Sequence, residues 1–166
     1  MIEVTDVALQ TAAGEGMDEF IQVFTHKYKE VIGGELTAAT MPLLTGEQHS
    51  LLAYQIFRDE IMVGGFCQLI QNGYGGYIFD NPFARVMRLW GADDFSKLVY
   101  QAKKIYDASR EDLEKERDDD EFMAMYEPYE AFDDLEEAYF QMEEQVTALV
   151  AGYVDNHLEL FAKIIK

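Results

Sequence analysis

The stretch that decides the fold is TGEQHSLLAYQIFRDEIMVGGFCQLIQNG, residues 45–73. Its apolar residues recur at intervals of three and four, a spacing that places them on one face of an α-helix. Thr45 and Gln48 have the spacing of a capping box, which predicts where the helix begins, and an Asn-Gly pair predicts where it ends. The sequence therefore predicts one long helix over about residues 46–72.

Two adjacent glycines, Gly64 and Gly65, interrupt this helical pattern. Each glycine inside a helix costs roughly 1 kcal/mol relative to alanine. A helix that tolerates both glycines needs a close neighbour or a bend at this point, and we expect one of the two here.

Helical spacing continues on both sides of this stretch, with glycine and proline residues between the segments. A Gly-rich segment, Tyr74–Tyr77, is expected to be a loop, and no stretch is a convincing strand. The further helices are predicted before the Gly14–Gly16 break, over 17–32, from Asn81-Pro82 to Gly91, from Asp93 or Asp94 through Tyr106, and over about 134–165. The predicted fold is all-α, a single compact domain over residues 1–166 with about six to eight helices and a long C-terminal helix or helix pair.

The composition excludes several classes of protein. Hydrophobic residues make up 49% and aromatic residues 13% of the 166 residues, which is too apolar for a disordered acidic tail. A lone cysteine, the absence of a signal-peptide pattern and the lack of an 18-residue apolar run lead us to expect a cytoplasmic protein. The net charge of −19 opposes direct binding to nucleic acid or to an anionic membrane.

Acidic residues are concentrated in one part of the chain, residues 107–144, which we call the acidic window. It holds 17 acidic and three basic residues, a net charge of −14, so the rest of the chain contributes only −5. A dense local source of negative charge is typical of a protein that binds a basic partner or imitates a nucleic acid, although charge runs also serve solubility alone.

The densest part of the acidic window is residues 111–121, with eight acidic and two basic residues. If this segment is helical, its net charge of −6 is spread over roughly 16 Å, at about 1.5 Å per residue. The resulting density is about one charge per 2.7 Å, within twofold of the value of about 1.7 Å for duplex DNA. As a helix, the segment would present a field similar to that of phosphates.

Other candidate sites are weak in this sequence. Cys67 lies on an apolar stripe without a visible base, which predicts a buried packing residue and not a nucleophile. The three histidines lack metal-ligand spacing, and no catalytic residue, metal or cofactor is expected. The Gly-rich segment lacks the lysine and the preceding strand of a phosphate-binding loop.

Three elements of the sequence resemble a known family. They are the Gly-Gly-Phe-x-Gln-x-x-x-Asn element of residues 64–72, the Leu-Trp-Gly-Ala step of residues 89–92, and FDDLEEAYF, residues 132–140. They occur in the order found in the DNA mimic protein family, and the likeness covers about residues 45–161.

This resemblance implies an all-helical fold, a homodimer and an acidic surface that occupies the DNA-binding face of a protein such as a transcription factor. The shared motif residues Gly65, Phe66, Gln68 and Asn72 are expected to be structural. Gln68 and Asn72 also stand one helical turn apart, which leaves open a role in a pocket.

The leading hypothesis is therefore a non-enzymatic protein whose acidic face binds the basic DNA-binding surface of a partner. Two alternatives remain open: an immunity or antitoxin-like inhibitor of a basic toxin, and a small-ligand or enzymatic domain that uses the Gln68–Asn72 region. A fourth is an acidic domain whose charge only aids solubility. The expected partner-binding residues are Glu111, Asp112, Glu114, Glu116, Asp118, Asp119, Asp120 and Glu121, with Asp133, Asp134, Glu136 and Glu137 as a second patch.

Overall fold

The protein is all-α, as predicted. A computed structural model describes residues 2–166, in which eight α-helices account for most of the chain. A pair of three-residue strands completes the regular structure, although the sequence showed no convincing strand. The elements are β1 (Glu3–Thr5), α1 (Asp6–Glu15), α2 (Met17–Val31), α3 (Gly46–Gln71), α4 (Gly75–Phe79), α5 (Phe83–Leu89), α6 (Asp93–Leu113), α7 (Asp119–Met125), α8 (Asp133–Asn156) and β2 (Lys163–Ile165).

Helix α3 begins and bends where the sequence predicts. The capping box is formed: the backbone N–H of Thr45 donates to Gln48 Oε1 at 2.9 Å, and the N–H of Gln48 donates to Thr45 Oγ1 at 3.2 Å. Gly65 has φ +73°, a left-handed conformation that glycine adopts without strain. The helix therefore turns at Gly65, which we call the bend of α3.

The Gly-rich segment after α3 is helical, so the predicted loop over Tyr74–Tyr77 is wrong. Gly73, with φ +91°, terminates α3, and α4 begins two residues later. A Cβ atom on Gly75 would overlap the ring of Tyr106, and Gly75 is buried. This glycine serves close packing against α6 and not a turn.

The C-terminal helix is shorter than predicted. Helix α8 continues through Gly152 without a break but ends at Asn156, not near residue 165. The chain then forms a 3₁₀ turn and the strand β2, which pairs with β1 in parallel, with Val4 opposite Ile164. The carbonyl of Phe161 accepts hydrogen bonds from Tyr28 and Gln48, so tertiary contacts satisfy groups that a longer helix would have used.

Several other helix boundaries differ from the prediction: α1 continues through Gly14 to Glu15, α6 continues past Tyr106 to Leu113, and α7 was not predicted as a helix. Pro82 stands at the N-cap position of α5 and not inside its first turn, and Ala92 precedes α6, which begins with Asp93 itself. Gly91, with φ +99°, follows the end of α5 as predicted.

The chain folds as two compact units, which are described separately. The first comprises residues 1–55 and 147–166, and its core contains Phe24, Tyr28 and Tyr54, all fully buried. Tyr54 Oη and Thr147 Oγ1 lie 2.7 Å apart within that core. Whether the chain behaves as the predicted single domain stays a prediction.

The second unit, residues 56–146, has an aromatic core and contains the whole acidic window. The ring of Phe57 lies 5.6 Å from that of Phe66, 5.0 Å from that of Phe95 and 5.1 Å from that of Tyr139, all in edge-to-face geometry. Such ring pairs stabilise a core beyond the burial of their area. Over residues 2–166, no helix is both long enough and apolar enough to cross a bilayer.

Candidate protein-binding surface

The acidic window does not form one continuous helix. Helix α6 ends at Leu113, and α7 begins only at Asp119. The assumption that residues 111–121 are helical is therefore wrong, and the spacing of one charge per 2.7 Å does not apply. In its place the chain makes a tight acidic turn, which we define as residues 112–118.

Arg117 holds the acidic turn from within. Its side chain is only 9% exposed, although its immediate neighbours are acidic and exposed. The guanidinium Nη1 donates to the carbonyl oxygen of Asp112 at 2.6 Å and lies 3.4 Å from those of Leu113 and Lys115. Nη2 also lies 3.2 Å from the Asp112 carboxylate. A single cation thus contacts three carbonyls at the end of α6, where the helix leaves such groups without internal partners.

Two further side chains fix the same turn. The Gln71 amide, at the end of α3, donates to the carbonyls of Leu113 at 2.6 Å and Lys115 at 2.9 Å. The Tyr129 hydroxyl donates to the Asp112 carboxylate. This hydrogen bond, reinforced by the charge of Arg117, lowers the pKa of Asp112. The turn is therefore tied to α3 and to the chain that precedes α8.

A second network lies on α6, before the turn. The Arg110 guanidinium binds both carboxylate oxygens of Asp80, at 2.9 and 2.8 Å, and its Nε lies 3.2 Å from Glu114 Oε1. The Tyr106 hydroxyl donates to Glu114, and Arg110 lies over the Tyr106 ring at 4.9 Å. Burial and the hydrogen bond to Glu114 raise the pKa of Tyr106. Glu114 is therefore bonded on both sides.

Helix α7 begins with a capping box that uses two of the predicted site residues. Asp118 accepts from the N–H of Glu121 at 2.8 Å, and Glu121 accepts from the N–H of Asp118 at 3.2 Å. These two carboxylates terminate the acidic turn and begin α7.

The structure thus divides the eight predicted residues of 111–121 into two groups. Asp112, Glu114, Asp118 and Glu121 have structural partners. The other four are exposed, and within residues 2–166 no hydrogen bond or ion pair engages their side chains: Glu111, Glu116, Asp119 and Asp120. This second group is available to an external partner without loss of an internal contact.

The second predicted patch lies at the start of α8. Asp133, Asp134 and Glu137 are exposed, whereas Glu136 is half-buried at the bend of α3. Glu136 Oε2 accepts from the N–H of Phe66 at 2.7 Å. Burial raises the pKa of Glu136, and the neighbouring charge of Asp133 raises it further, against the opposing effect of the hydrogen bond from Phe66.

The motif residues surround the bend of α3. Gln68 donates to Glu60 Oε2 at 2.7 Å, and Asn72 donates to the same oxygen at 2.9 Å. These bonds join the two halves of the helix across Gly65, and the ring of Phe66 is fully buried. The geometry supports the structural interpretation of the motif, because both amides already have a partner inside the chain.

Cys67 is buried, as predicted, and burial raises the pKa of its thiol to about 12, with the negative charge of Glu136 contributing. A thiol with this pKa is protonated near neutral pH and is a poor nucleophile. Among residues 2–166, no group of three or more histidine, cysteine, aspartate or glutamate side chains is arranged to hold a metal ion.

Sequence reasoning missed the residues that give the acidic turn its shape, namely Arg117, Gln71, Tyr129 and Glu60. One signal was present in the sequence. Arg117 is one of only three basic residues in the acidic window, and a basic residue among many acidic ones is a candidate for a structural role. Gln71 gave no such signal, because its partners are carbonyl groups that lie more than 40 residues away along the chain.

Comparison with known proteins places this geometry in a family. The family model described as DMP19-like protein matches residues 42–157, well over half of the chain. The chain belongs to the DMP19-like family. A relative from Neisseria meningitidis serogroup B, named DNA mimic protein DMP19, is 31% identical over 126 residues, which covers 75% of this chain and 76% of the relative. The resemblance found in the three sequence elements is therefore confirmed, and the match to the DMP19-like family includes both the bend of α3 and the acidic turn.

Proposed function

We propose that this protein is a DNA mimic, which binds the basic DNA-binding surface of a protein such as a transcription factor and thereby competes with DNA. The observation that carries the proposal is the group of four exposed carboxylates, those of Glu111, Glu116, Asp119 and Asp120, beside a turn that is held in place by internal bonds. The name of the Neisseria relative supports the same function.

The mechanism is electrostatic. Carboxylates of the acidic window take the positions of phosphates opposite lysine and arginine side chains of the partner. The second unit carries 22 acidic and nine basic residues, a net charge of −13, so its field attracts a basic surface from a distance. Association is fast at low salt and the affinity falls as salt screens the charges.

The proposal includes assembly as a homodimer in the cytoplasm. In such a dimer the acidic surfaces of the two copies would extend one another. Sedimentation velocity at physiological salt tests the assembly, with a species of about twice the 19.0 kDa mass expected. A monomer at all concentrations up to about 100 µM, far above the range of specific homodimers, would contradict this part of the proposal.

The central test is capture followed by displacement. The immobilised chain is exposed at low salt to a lysate of the organism that encodes it, and the bound proteins are eluted with duplex DNA. We expect DNA to release a basic DNA-binding protein, which is then purified and tested in solution for displacement of its labelled DNA by the free chain.

A matched pair of variants localises the surface. E111Q/E116Q/D119N/D120N removes four negative charges from the exposed group, and we expect it to lose capture while its fold is retained. E15Q/E35Q/E47Q/D155N removes four exposed charges from the first unit, and we expect it to bind almost normally. Equal loss in both would show that only total charge matters, and a captured protein that DNA does not displace would favour the inhibitor alternative.

A further inference from the structure

Large apolar side chains are exposed around the bend of α3, where the acidic window meets the motif, and three helices each contribute at least one. Val63 is 80% exposed, Met123 is 68% exposed and Phe140 is 44% exposed. They belong to three different helices, α3, α7 and α8. Side chains of this kind on a soluble protein are normal when they are scattered, but a group of them marks an interaction site.

Two hydrogen bonds bring the three helices together at one place. The Tyr126 hydroxyl, at the end of α7, donates to the carbonyl of Gly64 at 2.7 Å. The N–H of Phe66 donates to Glu136 of α8 at 2.7 Å. The two contacts are made by Gly64 and Phe66, the residues on either side of Gly65, so α7 and α8 meet α3 at its bend.

Each exposed apolar residue lies within one helical turn of these contacts. Val63 directly precedes Gly64, Met123 stands three residues before Tyr126, and Phe140 stands four residues after Glu136. One turn of helix rises about 5.4 Å. We call the group of Val63, Met123 and Phe140 the bend patch.

The bend patch is surrounded by carboxylates. Residues three and four positions away on a helix are neighbours on its surface. Counted only within the helices, on the near side of the bend and up to the end of α7, there are eight such positions, and all eight are acidic. They are Asp59, Glu60, Asp119, Asp120, Glu136, Glu137, Glu143 and Glu144, of which Glu60, Glu136 and Glu143 also have partners inside the chain.

We propose that the bend patch is an apolar anchor for the same basic partner, which implies a partner surface with exposed apolar side chains inside a ring of lysine and arginine. This inference rests on the proposed function and deepens it. Charge complementarity selects this occupant, because a second copy of the chain would bring carboxylates against carboxylates. Protein interfaces place their strongest contacts in apolar centres of this kind, inside a polar rim.

With this anchor, the affinity for the partner has an electrostatic contribution from the carboxylates and an apolar contribution from the bend patch. Attraction between carboxylates and cations weakens as salt rises, whereas burial of apolar surface does not. Loss of the anchor lowers the affinity by a similar factor at every salt concentration. Loss of the carboxylates lowers it most at low salt and flattens its salt dependence.

Two synthetic helical peptides provide a probe that does not require the natural partner. One carries lysine and has leucine at positions i, i+3, i+4 and i+7, and the other has the same charge and length with glutamine in place of leucine. Fluorescence anisotropy with labelled peptide gives Kd at several salt concentrations. We expect the wild-type chain to bind the leucine peptide about tenfold more tightly, or about 1.4 kcal/mol, at about 0.3 M salt.

The variant V63S/M123S/F140S is expected to reduce this preference to about twofold or less, with an unchanged salt dependence for both peptides. The matched control is V7S/L43S/L89S, which replaces three similarly exposed apolar side chains elsewhere and is expected to keep the tenfold preference. Circular dichroism is the control for fold, and we expect both variants to remain helical.

Three outcomes would overturn the inference: no preference in the wild type, the same preference in the patch variant, or a loss of self-association in the patch variant that the control does not show. The last outcome would assign the bend patch to contacts between copies. The peptide measurement is independent of DNA displacement, so a failure of mimicry and a failure of the anchor are distinguishable.

Discussion

Arg117 shows how a positive residue shapes an acidic surface. In the acidic turn its guanidinium contacts the carbonyls of Asp112, Leu113 and Lys115. Without it, the Asp112 carbonyl would lose its shortest hydrogen bond, and Gln71 alone would hold the carbonyls of Leu113 and Lys115. A residue that opposes the net charge of the window therefore contributes to the window's geometry.

We predict that Arg117→Met lowers the free energy of unfolding by about 2 kcal/mol, because hydrogen bonds from a charged donor to partly buried carbonyls are lost. Urea titration monitored by circular dichroism measures the effect. Lys115→Met is the matched control, since it removes the same charge from an exposed position and is expected to change stability by less than about 0.5 kcal/mol. Equal effects of the two substitutions would refute a structural role for Arg117.

Glu136 gives a prediction about pH. Its folded-state pKa is raised, so the ionised form is disfavoured in the folded protein. The stabilising contribution of Glu136 is fully present below its unfolded pKa of about 4.3 and is lost as pH rises through the higher folded pKa. Glu136→Gln keeps an oxygen that accepts from Phe66 but cannot ionise.

The measurement is the difference in unfolding free energy between the wild type and E136Q from about pH 4 to pH 7.5, across the range in which a raised carboxyl pKa falls. We expect the wild type to lose stability relative to the variant as pH rises. The comparison cancels other titrating groups, including Asp112, whose lowered pKa has the opposite effect. A constant difference over this range would contradict the prediction.

At the scale of elements, the sequence correctly predicted the helix features that depend only on residues close together in the chain. The capping box of Thr45, the bend at Gly65 and the end of α3 follow from local chemistry, and all three are confirmed. The end of α8 was missed because side chains distant in sequence, those of Tyr28 and Gln48, donate hydrogen bonds to the Phe161 carbonyl. The α4 helix was missed because the purpose of Gly75, close contact with Tyr106, is visible only in three dimensions.

The candidate site shows the same division. The location of the acidic window follows from composition alone, but its shape depends on Gln71 and Tyr129, which are distant in sequence from the groups they bind. Counting charges along an assumed helix therefore gave a density and not a geometry. The hydrogen bonds and ion pairs of the structure were also needed to tell which carboxylates are available to a partner and which have a structural role.

The bend of α3 gives a prediction with an internal control. In Gly65→Ala the alanine would have to adopt a left-handed backbone conformation, and its methyl group would overlap the Glu136 carboxylate. We therefore expect the free energy of unfolding to fall by about 2 kcal/mol or more. Gly152→Ala, in α8, meets no atom within 4 Å and is expected to stabilise the protein by up to about 1 kcal/mol. Thermal or urea unfolding measures both variants. Similar stabilities for the two variants would show that the bend is not strained by a side chain.

At the scale of the whole molecule, the net charge of −19 opposes folding, because like charges are brought closer in the compact state. Salt reduces this repulsion, with a screening length of about 10 Å at 0.1 M. We predict a melting temperature that rises by several degrees between about 10 mM and 300 mM NaCl, a range over which that length shortens severalfold. Differential scanning calorimetry measures the change, and a flat profile would show that the carboxylates are not crowded in the folded protein.

The bonds that hold the acidic turn have a consequence for engineering. Arg117 and Gln71 bind the turn chiefly through hydrogen bonds to main-chain carbonyl oxygens, which every amino acid supplies. These hydrogen bonds therefore do not depend on which side chains the turn carries. Glu111, Glu116, Asp119 and Asp120 can be randomised without loss of an internal contact, so this chain is suited to serve as a scaffold whose exposed positions around the acidic turn are changed for new targets.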